Sequence, residues 1–213
     1  MTTIDTNARS HNAYDGVAIS LHWIIALFTI TLLVSGQIAE GLPRTDATRG
    51  LILNFHKAGG VIVLGLVLLR SLWRVTHAAP QPIKTSPALD TTANVVHRLL
   101  YLLLLLIPIT GIGMTIGFGR GVDLLGIPPL LDAVEAATRA VTGFVGIDLL
   151  GAAPFKDTVA PIAKGFAASH GIIVKVMLAL VLLHTVAALW HQYFRHDATL
   201  GRMVPWLRKP AKD

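Results

Sequence analysis

The chain of 213 residues is 53% hydrophobic and only 14% charged, and it contains no cysteine. Soluble domains usually carry about 25% charged residues, so this composition indicates a membrane protein. Without cysteine, disulfides, thiolate zinc sites, iron–sulfur clusters and haem attached through cysteines are excluded. Any metal or haem must therefore be held by histidine, methionine or carboxylate side chains.

Four long apolar segments follow one another along the chain, at about 17–39, 51–73, 95–118 and 168–193. Each can cross a hydrocarbon core, which takes about 20 helical residues, whereas membrane β-strands are about half as long and alternate in polarity. The first segment has neither the charged start nor the cleavage site of a signal peptide, so we expect a retained helix. The sequence predicts an all-α membrane protein, with residues 1–213 forming a single bundle of four transmembrane helices.

The connections between these helices differ in length. The first, at about 40–50, is short and contains Gly and Pro, so helices 1 and 2 should be antiparallel neighbours. The second, 74–94, contains three prolines and is expected to be irregular. The third is the long outer loop 119–167. Its stretch 128–144 has apolar residues at helical spacing and is either a helix along the membrane surface or a loop helix packed over the bundle.

The net charge of +6 is compatible with nucleic-acid binding, but its distribution follows the predicted topology instead. With four spans, both termini and the 74–94 connection share one side, which carries ten basic and five acidic residues. The other side carries six basic and seven acidic residues. Basic residues concentrate on the cytoplasmic side of membrane proteins. We therefore expect both termini in the cytoplasm, contact with membrane lipids and no nucleic-acid partner.

Six of the nine histidines lie within or at the ends of the apolar segments: His22, His56, His97, His170, His184 and His191. Ionisable groups there are costly and usually face a partner or cofactor inside the bundle, although a single one is equally explained by a hydrogen bond to a carbonyl or headgroup. His170 and His184 are 14 residues apart, which leaves them about 40° short of four full turns and about 21 Å apart along the axis. That separation is too large for one metal ion and suits two haems stacked across the bilayer.

Depth in the membrane pairs these histidines with others. His22 lies near the cytoplasmic start of helix 1, and His184 lies deep along helix 4, in the same half. His56 and His170 lie in the first turns of helices that start outside. Two imidazoles make haem iron six-coordinate, which suits electron transfer. Nearby glycines would let a porphyrin approach the backbone, although glycine is also common where membrane helices pack tightly; they are Gly36, Gly59, Gly60, Gly65, Gly111, Gly113, Gly117 and Gly171.

Further motifs surround the paired histidines. They are Ser20-Leu-His22-Trp23, Pro43-Arg44-x-Asp46, Arg70 with Arg74, His97-Arg-Leu-Leu-Tyr101, His191-Gln-Tyr193-Phe194 and Asp197-x-Thr199-Leu200-x-Arg202-Met203. Over almost the whole chain this pattern resembles the prokaryotic cytochrome b561 family, in particular its small members of the superoxide oxidase type. The resemblance implies a bacterial inner-membrane protein with two haem b groups, whose ligands would be His22 with His184 and His56 with His170.

The resemblance also implies a ubiquinone site near the inner haem, on the cytoplasmic side. By position, its lining residues would be His97, His191 and Lys84. A histidine or lysine beside a quinone can supply a proton or a hydrogen bond. The alternatives are that His191 belongs to an aromatic belt at the membrane interface and that Lys84 is a charge that fixes topology.

In the superoxide oxidase type, basic residues near the outer haem attract an anionic donor. The candidates here are Arg44, Arg49, Lys57, Arg120, Lys156 and Lys164. The outer loop looks longer than in enteric relatives and is slightly acidic, so docking of a periplasmic redox protein is the alternative. The predicted function is a quinone-reducing oxidoreductase that takes electrons from a periplasmic donor, superoxide or a redox protein.

Two other functions remain open from the residues. One is a cytochrome b anchor subunit that relays electrons for a partner dehydrogenase or periplasmic cytochrome. The other is a histidine-lined metal transporter without haem, which is disfavoured because no intramembrane carboxylate accompanies the histidines.

Overall fold

The computed structural model describes residues 13–77, 79–81, 83, 85–118 and 155–207. These residues form four long helices: α1 (Gly16–Gly41), α2 (Ala47–Thr76), α3 (Pro87–Gly117) and α4 (Phe155–Trp190). A π-helical turn at His191–Arg195 continues α4, and 3₁₀ turns follow at Leu200–Arg202 and Pro205–Leu207. No strand occurs in the described ranges, and the predicted all-α class is confirmed.

The helices are suited to a lipid environment. All four contain an apolar span long enough to cross a membrane: Gly16–Gly41, Ala47–Thr76, Pro87–Thr115 and Ala160–Arg195. Large apolar side chains point outward on each of them; Leu27, Phe55, Leu102 and Leu182 are 67%, 72%, 49% and 58% exposed. Soluble proteins rarely expose apolar surface on this scale. The described residues therefore include four helices suited to crossing a membrane, and the chain is a multi-pass membrane protein.

Local hydrogen bonds explain where α1 and α2 begin. Asp15 Oδ1 accepts the backbone N–H of Ala18 at 2.8 Å, and Asp46 Oδ1 accepts that of Thr48 at 2.8 Å. Each bond satisfies an amide group that has no partner inside the helix. The third helix begins at Pro87, where the fixed φ of proline suits the first helical position and its missing N–H costs nothing.

Two helices, α3 and α4, begin eight or more residues earlier than their apolar segments predict. The predicted start near 95 becomes Pro87 in α3, and the predicted start near 168 becomes Phe155 in α4. The first turns of these helices contain polar residues and, in α4, Pro161. A hydropathy pattern does not identify such turns as helical, because only the apolar part of the helix contacts lipid. Residues 155–167 of the predicted outer loop are thus helical. The rest of that loop, including 128–144, lies outside the described residues.

The described residues form two compact units, and each helix contributes to both. We call the first the terminal unit; it contains the described residues of 1–27, 66–103 and 176–213. The second, the distal unit, contains those of 28–65 and 104–175. Leu21, Ile25, Val67, Leu103 and Met177 are buried in the terminal unit, and Ala39, Val63, Thr115 and Ala163 in the distal unit. Each unit therefore has a small core of its own.

Candidate functional site

In the distal unit, His56 of α2 faces His170 of α4. Their ring centroids are 6.4 Å apart and the ring planes meet at 76°. An imidazole nitrogen binds a first-row metal at about 2.0–2.1 Å, so two imidazoles on opposite sides of one metal ion place their centroids roughly 6 Å apart. The observed separation fits one metal ion between the two rings.

Hydrogen bonds fix the protonation of His170. Its Nδ1 lies 3.0 Å from Ile107 O and 3.1 Å from Thr110 Oγ1. The Thr110 hydroxyl lies 2.9 Å from each of two backbone carbonyls of its own helix, which takes its single hydrogen. Both neighbours of Nδ1 therefore act as acceptors, and Nδ1 carries the ring proton. The Nε2 lone pair is left available for a metal.

His56 is held in the same way from α1. Its Nδ1 lies 3.2 Å from Ser35 Oγ, and that hydroxyl donates its hydrogen to Leu32 O at 3.1 Å. With its hydrogen on Leu32 O, Ser35 Oγ is placed to accept an Nδ1–H bond. His56 and His170 both present Nε2 as the free nitrogen.

Glycines near the distal pair serve two purposes. A Cβ atom at Gly36 would lie 3.2 Å from Cε1 of His56, and one at Gly111 would lie 3.3 Å from Cε1 of His170, so each ring rests against bare backbone. Two other glycines serve helix packing instead. A Cβ at Gly59 would meet Leu32 at 2.8 Å, and one at Gly113 would meet Phe166 at 2.9 Å.

The terminal unit brings three histidines together. The ring centroids of His22 in α1 and His184 in α4 are 6.3 Å apart, almost the separation of the distal pair. His97 of α3 stands edge-on to His184 at 5.3 Å. His22 and His184 are half-buried, whereas His97 is exposed. The first two fit the same metal arrangement as the distal pair, and His97 lies beside it with its ring accessible.

Arg70 connects three helices within the terminal unit. Its Nε donates to Tyr101 Oη of α3 at 3.0 Å, and Nη1 donates to Ala18 O of α1 at 2.6 Å. Arg74, one turn later, donates to Tyr14 Oη at 3.1 Å. The two arginines of the sequence motif therefore hold the ends of neighbouring helices together and line one cleft.

His191 is the first residue of the π-helical turn, and it pairs with a carboxylate. Its Nδ1 lies 2.5 Å from Asp197 Oδ2. Burial alone would raise the pKa of Asp197, but hydrogen bonds from Thr199 and His191 outweigh burial and lower that pKa. Asp197 is therefore ionised at neutral pH. Sequence reasoning missed this partner, because in an α-helix two residues six positions apart point to different sides.

Three predicted outer cations meet in the distal unit. Arg44, Arg49 and Lys164 line a cavity of about 380 Å³ together with Phe118. The Nε of Arg49 also donates to Ala39 O at 3.0 Å. Lys57 follows His56 in α2. Arg120, the side chain of Lys156 and the predicted quinone-site residue Lys84 lie outside the described residues.

Four apolar helices that bring histidines together in pairs define a membrane protein suited to holding metal groups through imidazole. The chain belongs to the prokaryotic cytochrome b561 family, whose model matches residues 13–206. The resemblance predicted from the motifs is confirmed. Family membership makes this chain a bacterial membrane electron-transfer protein and implies haem b as its cofactor.

Curated relatives match along nearly their whole length. The probable superoxide oxidase CybB of Yersinia pestis is 27% identical over 196 residues, which cover 92% of this chain and 97% of that protein. Cytochrome b561 homolog 1 of Escherichia coli K12 is 25% identical over 195 residues, covering 91% and 98%. Cytochrome b561 homolog 2 of the same organism is 25% identical over 195 residues, covering 90% of each.

Proposed function

We propose that this chain is a dihaem cytochrome that carries electrons across the bacterial inner membrane, from a periplasmic donor to ubiquinone. The observation that carries the proposal is the near-equal separation of two histidine pairs, 6.3 Å for His22 and His184 and 6.4 Å for His56 and His170. Each pair would hold one haem b. When bound, haem b supplies a one-electron couple of its iron, and two protein ligands leave no open position for oxygen chemistry.

The two rings of the distal pair are oriented by hydrogen bonds in a way that suits binding of haem iron. Ser35, Thr110 and Ile107 hold the two Nδ1 protons, so both rings keep a fixed orientation and a free Nε2. Ligands that are already oriented need not move when an electron arrives or leaves, which favours fast transfer. His170 and His184, one from each pair, both belong to α4 and are 14 residues apart in the sequence.

The proposed quinone site lies at the terminal unit, with His97, His191 and Lys84 as its residues. His97 is accessible beside His184, and His191 is held by Asp197 at the end of α4. Reduction of a quinone to a quinol takes up two electrons and two protons. Histidines near the aqueous phase are suited to passing those protons. The distribution of basic residues supports placing this unit, and both termini, on the cytoplasmic side.

Superoxide is the donor that we favour. A relative along nearly the full length is named a probable superoxide oxidase, and Arg44, Arg49 and Lys164 gather positive charge around one cavity. Cations around a cleft raise the local concentration of a small anion. In the balanced reaction, two superoxide ions and two protons convert one ubiquinone to ubiquinol and release two molecules of dioxygen.

The experiment is to purify the chain, measure haem by pyridine haemochrome and expose it to an enzymatic superoxide source with ubiquinone-1. We expect two haem b per chain, reduction of both, and ubiquinol formation that superoxide dismutase abolishes. One haem or none would overturn the dihaem proposal. Two haems without any response to superoxide would overturn superoxide as donor, and co-purification of a soluble redox protein that reduces them would favour the anchor-subunit alternative.

A further inference from the structure

The end of α4 departs from regular helix geometry. The five residues His191–Arg195 form a π-helical turn. His196 then adopts φ 54° and ψ 30°, a left-handed conformation that non-glycine residues seldom adopt. The backbone N–H groups of His196 and Asp197 both point to His191 O, the latter at 3.2 Å. Isolated π-helical turns occur frequently at functional sites.

This backbone course brings Asp197 back onto His191. The Nδ1–Oδ2 distance is 2.5 Å, and the side chains are only 20% and 18% exposed. The other carboxylate oxygen, Oδ1, accepts the backbone N–H of Thr199 at 2.9 Å. Because each oxygen has its own donor, the carboxylate cannot rotate freely and the imidazole is held in one orientation.

The segment that carries Asp197 is itself tied down within the terminal unit. Trp23 Nε1 of α1 donates to Met203 O at 2.8 Å. Arg202 Nη1 donates to Gln81 O, in the connection between α2 and α3, at 2.6 Å. The pairing of His191 with Asp197 is therefore supported from outside its own turn.

We propose that Asp197 is the positioning residue of His191 in quinone reduction, an inference that rests on the proposed quinone site. Asp197 accepts Nδ1–H of His191, so Nε2 is the ring nitrogen that faces a ligand. Quinone reduction takes up two electrons and two protons. One O–H bond forms as the Nε2–H bond of protonated His191 breaks, and the other quinone oxygen takes its proton from the aqueous phase. The neutral ring is reprotonated from the same phase. The electrons come from the periplasmic donor, which is oxidised.

A basic side chain also lies beside this pair. Arg195 Nε lies 3.8 Å from Asp197 Oδ2, and its guanidinium also lies over the Trp190 ring at 5.5 Å from the centroid. Arg195 therefore partly offsets the charge of the carboxylate.

The test uses the full-length protein with its haems, reduced with dithionite and mixed with ubiquinone-1 in a stopped-flow instrument. This isolates the quinone step from the donor. We expect Asp197→Asn to lower the maximal rate of haem reoxidation about 10- to 100-fold and to change KM little. Asp197→Glu should restore part of the rate. Asp15→Asn, a matched change at another hydrogen-bonded carboxylate of the terminal unit, should leave it unchanged.

A double variant and a spectroscopic measurement complete the test. His191→Gln combined with Asp197→Asn should be no slower than His191→Gln alone, because one residue acts through the other. In protein labelled with ¹⁵N-histidine, the signal of His191 is identified as the one that is absent from His191→Gln. In the wild type this signal should show that Nδ1 carries the proton. In Asp197→Asn it should show a mixture of the two tautomers.

The outcomes distinguish failure of the proposed function from failure of the inference about Asp197. If the wild-type protein does not reduce ubiquinone-1, the proposed function and this inference both fail. If His191→Gln is slow while Asp197→Asn keeps the wild-type rate, KM and haem content, only the inference fails. Additive losses in the double variant would also overturn it.

Discussion

In the distal unit, the rings of His56 and His170 lie 6.4 Å apart, and each directs Nδ1 to a hydroxyl on a neighbouring helix. The hydroxyls of Ser35 and Thr110 give their own hydrogens to backbone carbonyls, so both act as acceptors. Two rings that both keep Nε2 free, at a separation that one metal ion can span, are the arrangement a bis-histidine haem requires. This relationship is the strongest structural support for the proposed ligands.

The proposed pairing predicts which substitutions remove a haem. His170→Ala removes one ligand of one pair, so we expect haem b to fall from two to one per chain, measured by pyridine haemochrome. The other haem should remain, with a single α band in the dithionite-reduced spectrum. His97→Gln is the matched control, because His97 lies beside a pair rather than in it. Retention of both haems in His170→Ala, or loss of one in His97→Gln, would contradict the pairing.

The glycines beside the distal rings predict a steric effect. A side chain at position 111 starts with a Cβ only 3.3 Å from His170 Cε1, so the two methyl groups of Gly111→Val must displace the ring. We expect lower haem content and a shifted midpoint potential of the remaining distal haem in a redox titration. Gly60→Ala is the control, since a Cβ there meets nothing within 4 Å. Equal haem content and potential in Gly111→Val and the wild type would show that the ring does not need the bare backbone.

The histidine pairs were predictable because helix geometry converts sequence spacing into depth. The spacing of 14 residues between His170 and His184, at a rise of about 1.5 Å per residue, predicts that each belongs to its own half of the membrane. Their partners then follow from the direction of each helix. The hydroxyls of Ser35 and Thr110 were not predictable, because they depend on how neighbouring helices are rotated about their own axes.

The pairing of Asp197 with His191 shows why some structural features cannot be predicted from a sequence pattern. It depends on a π-helical turn and on a left-handed residue, and His196 occupies that position although glycine or asparagine would be the usual signal. The early start of α4 at Phe155 escaped for a simpler reason. A hydropathy pattern identifies only the apolar part of a helix that contacts lipid. It does not identify polar turns that extend the helix beyond that part.

The lowered pKa of Asp197 predicts how acid affects stability. Burial opposes ionisation, but the bonds from Thr199 and His191 lower the pKa of the folded state below the ordinary value of 3.8. A depressed folded pKa gives a stabilisation that is present above the ordinary value and is lost as pH falls through the folded value. We expect Asp197→Asn to unfold at a lower temperature than wild type at pH 7. That difference should shrink towards zero below pH 3.8, as followed by helical circular dichroism. A difference that does not depend on pH would contradict a role for the ionised carboxylate.

The hydrogen bonds of Arg70 predict that a substitution which keeps its charge still lowers stability. Its guanidinium bonds Tyr101 Oη and Ala18 O at once, and a lysine cannot reproduce that fork. Arg70→Lys should lower the free energy of unfolding by about 1–3 kcal/mol, the usual effect of losing hydrogen bonds to a charged group. The measurement is thermal or denaturant unfolding in detergent. Arg98→Lys, at an exposed position of α3, is the control and should change stability little. Equal losses in both variants would contradict the role assigned to Arg70.

The cluster of Arg44, Arg49 and Lys164 predicts that an anionic donor is attracted electrostatically. Screening shortens the reach of these charges, from a Debye length of about 30 Å at 0.01 M salt to about 8 Å at 0.15 M. Haem reduction by superoxide should therefore slow several-fold over this range. Lys164→Gln should be slower than wild type at low salt and show a flatter salt dependence, while its reoxidation by ubiquinone-1 stays unchanged. Arg98→Gln, in the terminal unit, removes the same charge elsewhere and should keep the wild-type salt dependence. If the rate of haem reduction by superoxide in the wild type does not depend on salt, attraction by these residues is contradicted. An uncharged docking surface would then be the better explanation of donor access.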